Sequence, residues 1–146
     1  MISLMLSTHW ESSQVTMFKA RTKDIIVSVE TTFLENESEP ADGYYVWAYH
    51  ITITNEGDDT VQLLSRHWII TDGLGRTQEV KGSGVVGEQP ILAPGGSFTY
   101  TSGTPLTTPT GMMQGTYTMA QKSGPRIEVE VPLFSLDSDY AKKTLH

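Results

Sequence analysis

Tyr44-Tyr45-Val46-Trp47-Ala48-Tyr49-His50-Ile51-Thr52-Ile53-Thr54 alternates from end to end, and that alternation decides the fold class. Tyr45, Trp47, Tyr49, Ile51 and Ile53 fall on one face, while Tyr44, Val46, Ala48, His50, Thr52 and Thr54 fall on the other. A β-strand sends successive side chains to opposite sides, so this segment is a half-buried strand whose aromatic and isoleucine set faces a core. Downstream, Asn55-Glu56-Gly57-Asp58-Asp59 is a turn and Val61–Thr71 is the next strand. There Leu64, Trp68 and Ile70 share a face with Arg66, opposite Leu63, Ser65, His67 and Ile69, and Asp72-Gly73 closes the strand. Upstream, Ile25–Phe33 is β-branched and aromatic throughout and reads as a further strand.

The texture then changes. Sixteen of the twenty glycines and prolines lie between Gly73 and Pro125. Short strands fit between them at Arg76–Lys81, Pro90–Leu92, Ser97–Thr101, Met112–Gln121 and Arg126–Phe134. The last two form a hairpin across Lys122-Ser123-Gly124-Pro125, with Ile127, Val129 and Val131 inward and Arg126, Glu128 and Glu130 in water. Met112, Met113 and Met119 are expected to fill core space. No segment carries an apolar stripe of helical period. The expectation is an all-β sandwich or barrel in one domain over 24–146, preceded by a poorly ordered N-terminal extension over 1–23.

Composition narrows the function classes. The chain has 146 residues, no cysteine, and a formal net charge of −7. Disulfides, zinc–cysteine sites, iron–sulfur clusters and thiol nucleophiles are thereby excluded. The acidic balance argues against nucleic acid and anionic membranes as partners, since phosphate contacts need clustered Lys and Arg. Met1–Leu6 has no basic flank and is shorter than a signal-peptide core, which leads to the expectation of a cytoplasmic protein. Nine acids and no Lys or Arg lie from Asp24 to Ser65, a pattern that reads as solvated loops over Glu35–Asp42 and Glu56–Asp59.

Gly82-Ser83-Gly84-Val85-Val86-Gly87 matches G-x-G-x-x-G, the dinucleotide fingerprint. The fingerprint works by aiming a following helix at a pyrophosphate. Here Pro90 and Pro94 would fall inside that helix, so a Rossmann site is rejected. A phosphate loop of the Walker type fails too, because no Gly-Lys-Ser/Thr follows. Two readings remain: glycines at a bulged crossover that needs positive φ, or an anion nest of backbone amides assisted by Lys81 and Arg76.

Other chemistry is thin. His50 and His67, placed in consecutive strands, are weak candidates for a metal site with Asp72; His9 and His146 lie near the ends. Asp137 and Asp139 sit in the tail, and no Gly-x-Ser-x-Gly elbow marks a nucleophile. No catalytic residues are assigned, and no cofactor is expected.

Several blocks together resemble the ApaG family. They are Val61–Gly73, Glu79–Pro90, Leu92-Ala93-Pro94-Gly95, Tyr100-Thr101-Ser102-Gly103 and Gly111–Tyr117, with the ending Leu145-His146. The resemblance runs from about Asp24 to the C-terminus and implies a fibronectin type III-like or immunoglobulin-like sandwich of two antiparallel sheets. It implies less about activity. The family takes its name from gene neighbourhood with a diadenosine tetraphosphate hydrolase and is linked to the CorD phenotype of cobalt tolerance and magnesium transport. Related eukaryotic domains sit in an F-box protein and a DNA-polymerase-delta-interacting protein, where they look like interaction modules.

Two functions follow as expectations. One is a non-enzymatic module that binds a protein partner through exposed loops such as Gly82–Pro90 and Thr104–Gly111, with Val85 and Val86 as contacts. The other is a site for a small anion or nucleotide polyphosphate at Lys81, Gly82, Ser83, Gly84, Val85, Val86 and Gly87, assisted by a divalent cation.

Overall fold

The structure, a computed structural model, describes residues 16–140. The expectations for Met1–Leu6, His9 and Leu145-His146 lie outside the described residues. Nine strands form two antiparallel sheets packed face to face: β1 (Met17–Thr22), β2 (Ile25–Phe33), β3 (Tyr45–Asn55), β4 (Val61–Asp72), β5 (Thr77–Ser83), β6 (Ile91–Leu92), β7 (Ser97–Leu106), β8 (Gly111–Gln121) and β9 (Ile127–Leu136). The first sheet has the order β1-β2-β3-β7, and the second β5-β4-β8-β9 with β6 also on β4. The acidic connection Glu35–Asp42 is two short 3-10 turns, Glu35–Glu37 and Pro40–Asp42.

Strand β3 behaves as its alternation requires. Trp47, Tyr49, Ile51 and Ile53 are buried, and each sits in register with β2 on one side and β7 on the other. They meet Tyr117, Met119, Val129 and Phe134 of the second sheet in one continuous core. Edge-on aromatic contacts hold its centre: Trp68 lies 5.5 Å from Tyr49, 6.2 Å from Tyr117 and 6.1 Å from Phe134 between ring centroids. Ile127, Val129 and Val131 are buried, and Glu128 and Glu130 exposed, as the hairpin reading expects.

Strand β4 departs from strict alternation. Val61 and Leu63 are buried, yet so are Trp68 and Ile70, which stand an odd number of residues away. The register against β8 shifts between Leu63 and Ser65, so Leu64 is an extra residue with no opposite number. A β-bulge of this kind turns the rest of the strand over. Leu64 therefore does not share the core face with Trp68 and Ile70. Beyond it Arg66, Trp68 and Ile70 stand opposite Tyr117, Gly115 and Met113 on the inner face.

Two further expectations need correction. The domain begins before Asp24: Met17–Thr22 pairs along its whole length with β2. Its sequence, with Lys19 and Arg21, has no fully buried face to announce it; Phe18 reaches Phe134 at 6.2 Å, and Thr22 accepts a hydrogen bond from the Glu130 amide at 3.0 Å. Met113 and Met119 are core, but Met112 is 43% exposed, because β8 alternates through it.

Glycine at 115 is required by packing. A Cβ there would overlap the His67 carbonyl oxygen and come within 2.8 Å of Trp68 Cε3, both on the adjacent strand. Gly115→Ala is expected to cost about 1–3 kcal/mol, read as a lower urea midpoint at unchanged slope.

Candidate functional site

The two long sides of the sandwich differ. Along one, β1 and β9 lie together and close the gap between the sheets. Along the other run the edges β5 and β7, and here two clefts open between the layers. One, of about 360 Å³, lies beside Tyr44, Ile70, Leu106 and the Asp72–Arg76 ion pair, whose charges meet at 2.7 Å. The other, of about 310 Å³, is built from Tyr49, Tyr100 and Ser102 of the first sheet and Arg66, Trp68 and Ser83 of the second, with Val85, Val86 and Gly87 completing its lining. The second cleft holds a cation, Arg66, with no counter-charge among the described residues, which makes it the candidate site.

Arg66 reaches the cleft because the bulge at Leu64 turns it inward. Its cross-strand neighbour is Gly82, where a Cβ would come within 2.9 Å of both terminal guanidinium nitrogens. The bare glycine leaves room for the guanidinium to lie across the strand. Nη1 donates to the carbonyl oxygens of Ser83 at 3.0 Å and Gly84 at 2.9 Å. Nη2 and Nε have no partner among the described residues, and none of the ion pairs there includes Arg66. A partly desolvated charge without a counter-ion is costly to maintain.

Three tyrosines surround this cation. The hydroxyls of Tyr100 and Tyr117 join the two sheets across the interior at 2.6 Å. Burial pushes both phenols well above their ordinary range, and it raises Tyr49 as well, with Ser102 and Arg66 pulling the other way. All three are neutral hydrogen-bonding groups at physiological pH.

The glycine loop is a hairpin excursion from the edge of β4. Strand β5 leaves that edge, the loop turns, and β6 returns to it. The Leu64 carbonyl receives the Gly84 amide at 2.8 Å and the Gln89 side-chain amide at 2.9 Å. Val85 and Glu88 exchange both backbone hydrogen bonds, at 2.8 and 2.9 Å, around a two-residue turn made by Val86 at φ 42° and Gly87 at φ 81°. Gly84 stands at φ 64°, where any Cβ would overlap the Glu88 carbonyl oxygen. The amides of Val85 and Glu88 are thus bonded within the loop, and that of Gly84 to β4. Val85 is 1% exposed, a core residue and not a surface contact, whereas Val86 is 52% exposed.

The other sequence candidates are dispersed. Lys81 stands opposite His67 in register, on the sheet face away from Arg66. Gly82 and Ser83 touch Arg66; Val85, Val86 and Gly87 line its cleft. His50 and His67 do not approach each other, because β3 and β4 belong to different sheets. His50 Nδ1 meets Thr101 Oγ1 at 2.7 Å on the outer face of one sheet, and His67 Nε2 meets Glu79 Oε1 at 2.8 Å on the other. Among the described residues no three His, Asp or Glu side chains gather as a metal site. Thr104 and Leu106, read as loop, are buried within β7. The sequence reading missed Arg66, Tyr49, Tyr100 and Ser102 as site residues; its one available signal was an arginine on the face of Trp68 and Ile70.

Comparison with known proteins places this geometry. A family model described as the ApaG domain matches residues 35–121. Protein ApaG of Parvibaculum lavamentivorans is 55% identical over 130 residues, covering 89% of this chain and all of the relative. Protein ApaG of a Bradyrhizobium strain is 57% identical over 131 residues, again over 89% of this chain and all of its own. A crystal structure of the ApaA protein from Bordetella pertussis superposes with a TM-score of 0.77 at 50% identity, over 80% of this chain and 94% of that one.

The tyrosine pair sets an alkaline limit. Folding raises both phenols above their ordinary value of 10.0, so the stabilisation is complete below that pH and is lost as pH climbs towards the folded-state values. Denaturation midpoints measured between about pH 9 and pH 12 should fall steeply for the natural chain and less steeply for the double variant Tyr100→Phe, Tyr117→Phe.

Proposed function

The chain belongs to the ApaG domain family, and from that premise we propose that it is a non-enzymatic binding module that recognises a protein partner with the open side of its sandwich. The proposal includes a cytoplasmic setting, which suits a chain with no cysteine to oxidise. The observation that carries the reading is Val86. A β-branched residue at positive φ is strained by roughly 1–3 kcal/mol, and such strain concentrates where function holds it. Glycine or asparagine would fill the same turn without that cost. Instead, the turn presents an apolar side chain to solvent at the lip of the Arg66 cleft. A partner that covers it gains the burial of a valine and meets a backbone already fixed by the Val85–Glu88 bonds.

The reading of Gly82–Gly87 as a nest for a small anion or nucleotide polyphosphate has less support. The Gly84 and Val85 amides are already bonded, to Leu64 and Glu88, and Lys81 lies on the far face.

Val86→Asn tests the proposal, since asparagine tolerates the left-handed region. The variant should be more stable by about 1 kcal/mol in urea denaturation. In an affinity capture from cell lysate it should lose the partner that the natural chain retains. A variant that is stabilised and still retains the same partner would remove Val86 from the interface.

A further inference from the structure

Arg66 carries an inference that deepens the partner reading and rests on it. We propose that the Arg66 cleft is a receptor for a single side-chain carboxylate, so that the partner's docking segment is an acidic peptide.

The cation comes first. The chain has 17 acidic residues, yet among the described residues none pairs with Arg66. Both hydrogens of Nη1 are spent on the Ser83 and Gly84 carbonyls, which hold the guanidinium plane in place. What remains is the edge formed by Nη2 and Nε. That edge carries two parallel N–H donors, the fork that matches the two oxygens of a carboxylate.

The surroundings select among anions. Among the described residues Arg66 is the cleft's only cationic lining residue. A single guanidinium balances the one negative charge that a carboxylate places at the fork, whereas a phosphate monoester places about 1.5–2 charges at that same point and a polyphosphate more. The remaining polar side chains of the lining are hydroxyls, from Ser102 and the phenols, which donate to a carboxylate oxygen without adding charge. Val86 at the rim then meets the apolar part of the same peptide, which joins this site to the surface already proposed.

The test uses the full chain labelled with nitrogen-15, titrated at constant ionic strength. The probes are a capped triglutamate peptide, its triglutamine counterpart and inorganic phosphate. Triglutamate should give saturable shifts at Arg66 Nε–H and at the Ser83 and Gly87 amides. Triglutamine should give none, and phosphate should bind at least about tenfold more weakly, since it forfeits the single-charge match. Arg66→Lys, which keeps charge but not the fork, should weaken triglutamate about tenfold, and Arg66→Gln should abolish its binding. Lys81→Gln makes the same charge change on the outer face and should leave binding intact.

Phosphate binding as tight as triglutamate overturns the carboxylate assignment. So does equal loss in Lys81→Gln and Arg66→Gln, and so does the absence of any saturable shift in the natural chain. The partner reading fails separately. Capture that depends on Val86 but persists in Arg66→Gln sinks the carboxylate site alone. Triglutamate binding by a natural chain that captures no partner from lysate supports the carboxylate site and sinks the protein partner.

Discussion

The architecture turns on one surplus residue. Leu64 has no partner on β8, and that single insertion reverses the facing of everything after it on the strand. Trp68 and Ile70 enter the core because of it, and the aromatic cluster around Trp68 depends on that entry. Arg66 is carried inward by the same reversal. The freed Leu64 carbonyl is also where the glycine loop attaches, through the Gly84 amide and Gln89. Core, cation and loop therefore share one cause. Bulges beside functional sites re-aim side chains in this way, and here the residue re-aimed is an arginine.

Much of the fold was legible because half-buried strands write their facing into their sequence. Strand β3 needed nothing beyond alternation, and the β8–β9 hairpin announced itself by Ile127, Val129 and Val131 against Glu128 and Glu130. The failures have physical reasons. A bulge does not change composition, so Leu64 looked like a core residue and Arg66 like an incidental neighbour. Strand β1 lacks a fully buried face, and its place comes from pairing with β2. His50 and His67 are close in sequence but are separated by the crossing from one sheet to the other, which no local pattern reveals.

The site was half legible. Gly82–Gly87 drew attention through a motif whose usual helix Pro90 forbids, and the structure sets the loop beside the Arg66 cleft with its Gly84 and Val85 amides already bonded. Gly82 makes space for a guanidinium, Gly84 avoids a carbonyl, and Gly87 completes a tight turn. Each glycine answers a local steric demand, and the motif match is the sum of those demands. The charge in the candidate cleft comes instead from a residue on another strand, since a sandwich brings together side chains that lie far apart in sequence. A family relationship at 55% identity accounts for the fold and leaves the chemistry to be argued from Arg66 and its neighbours.

The hydroxyl pair of Tyr100 and Tyr117 has a mechanical meaning as well as an acid–base one. Apolar layers attract without regard to direction, so two such sheets resist separation more firmly than they resist sliding. A hydrogen bond of 2.6 Å between a strand of each sheet does depend on direction and position. It acts as a locating pin: any slip of one layer along the other must first break this buried bond. The cleft beside Arg66, whose two walls belong to different sheets, keeps its shape because that pin sets where the walls stand.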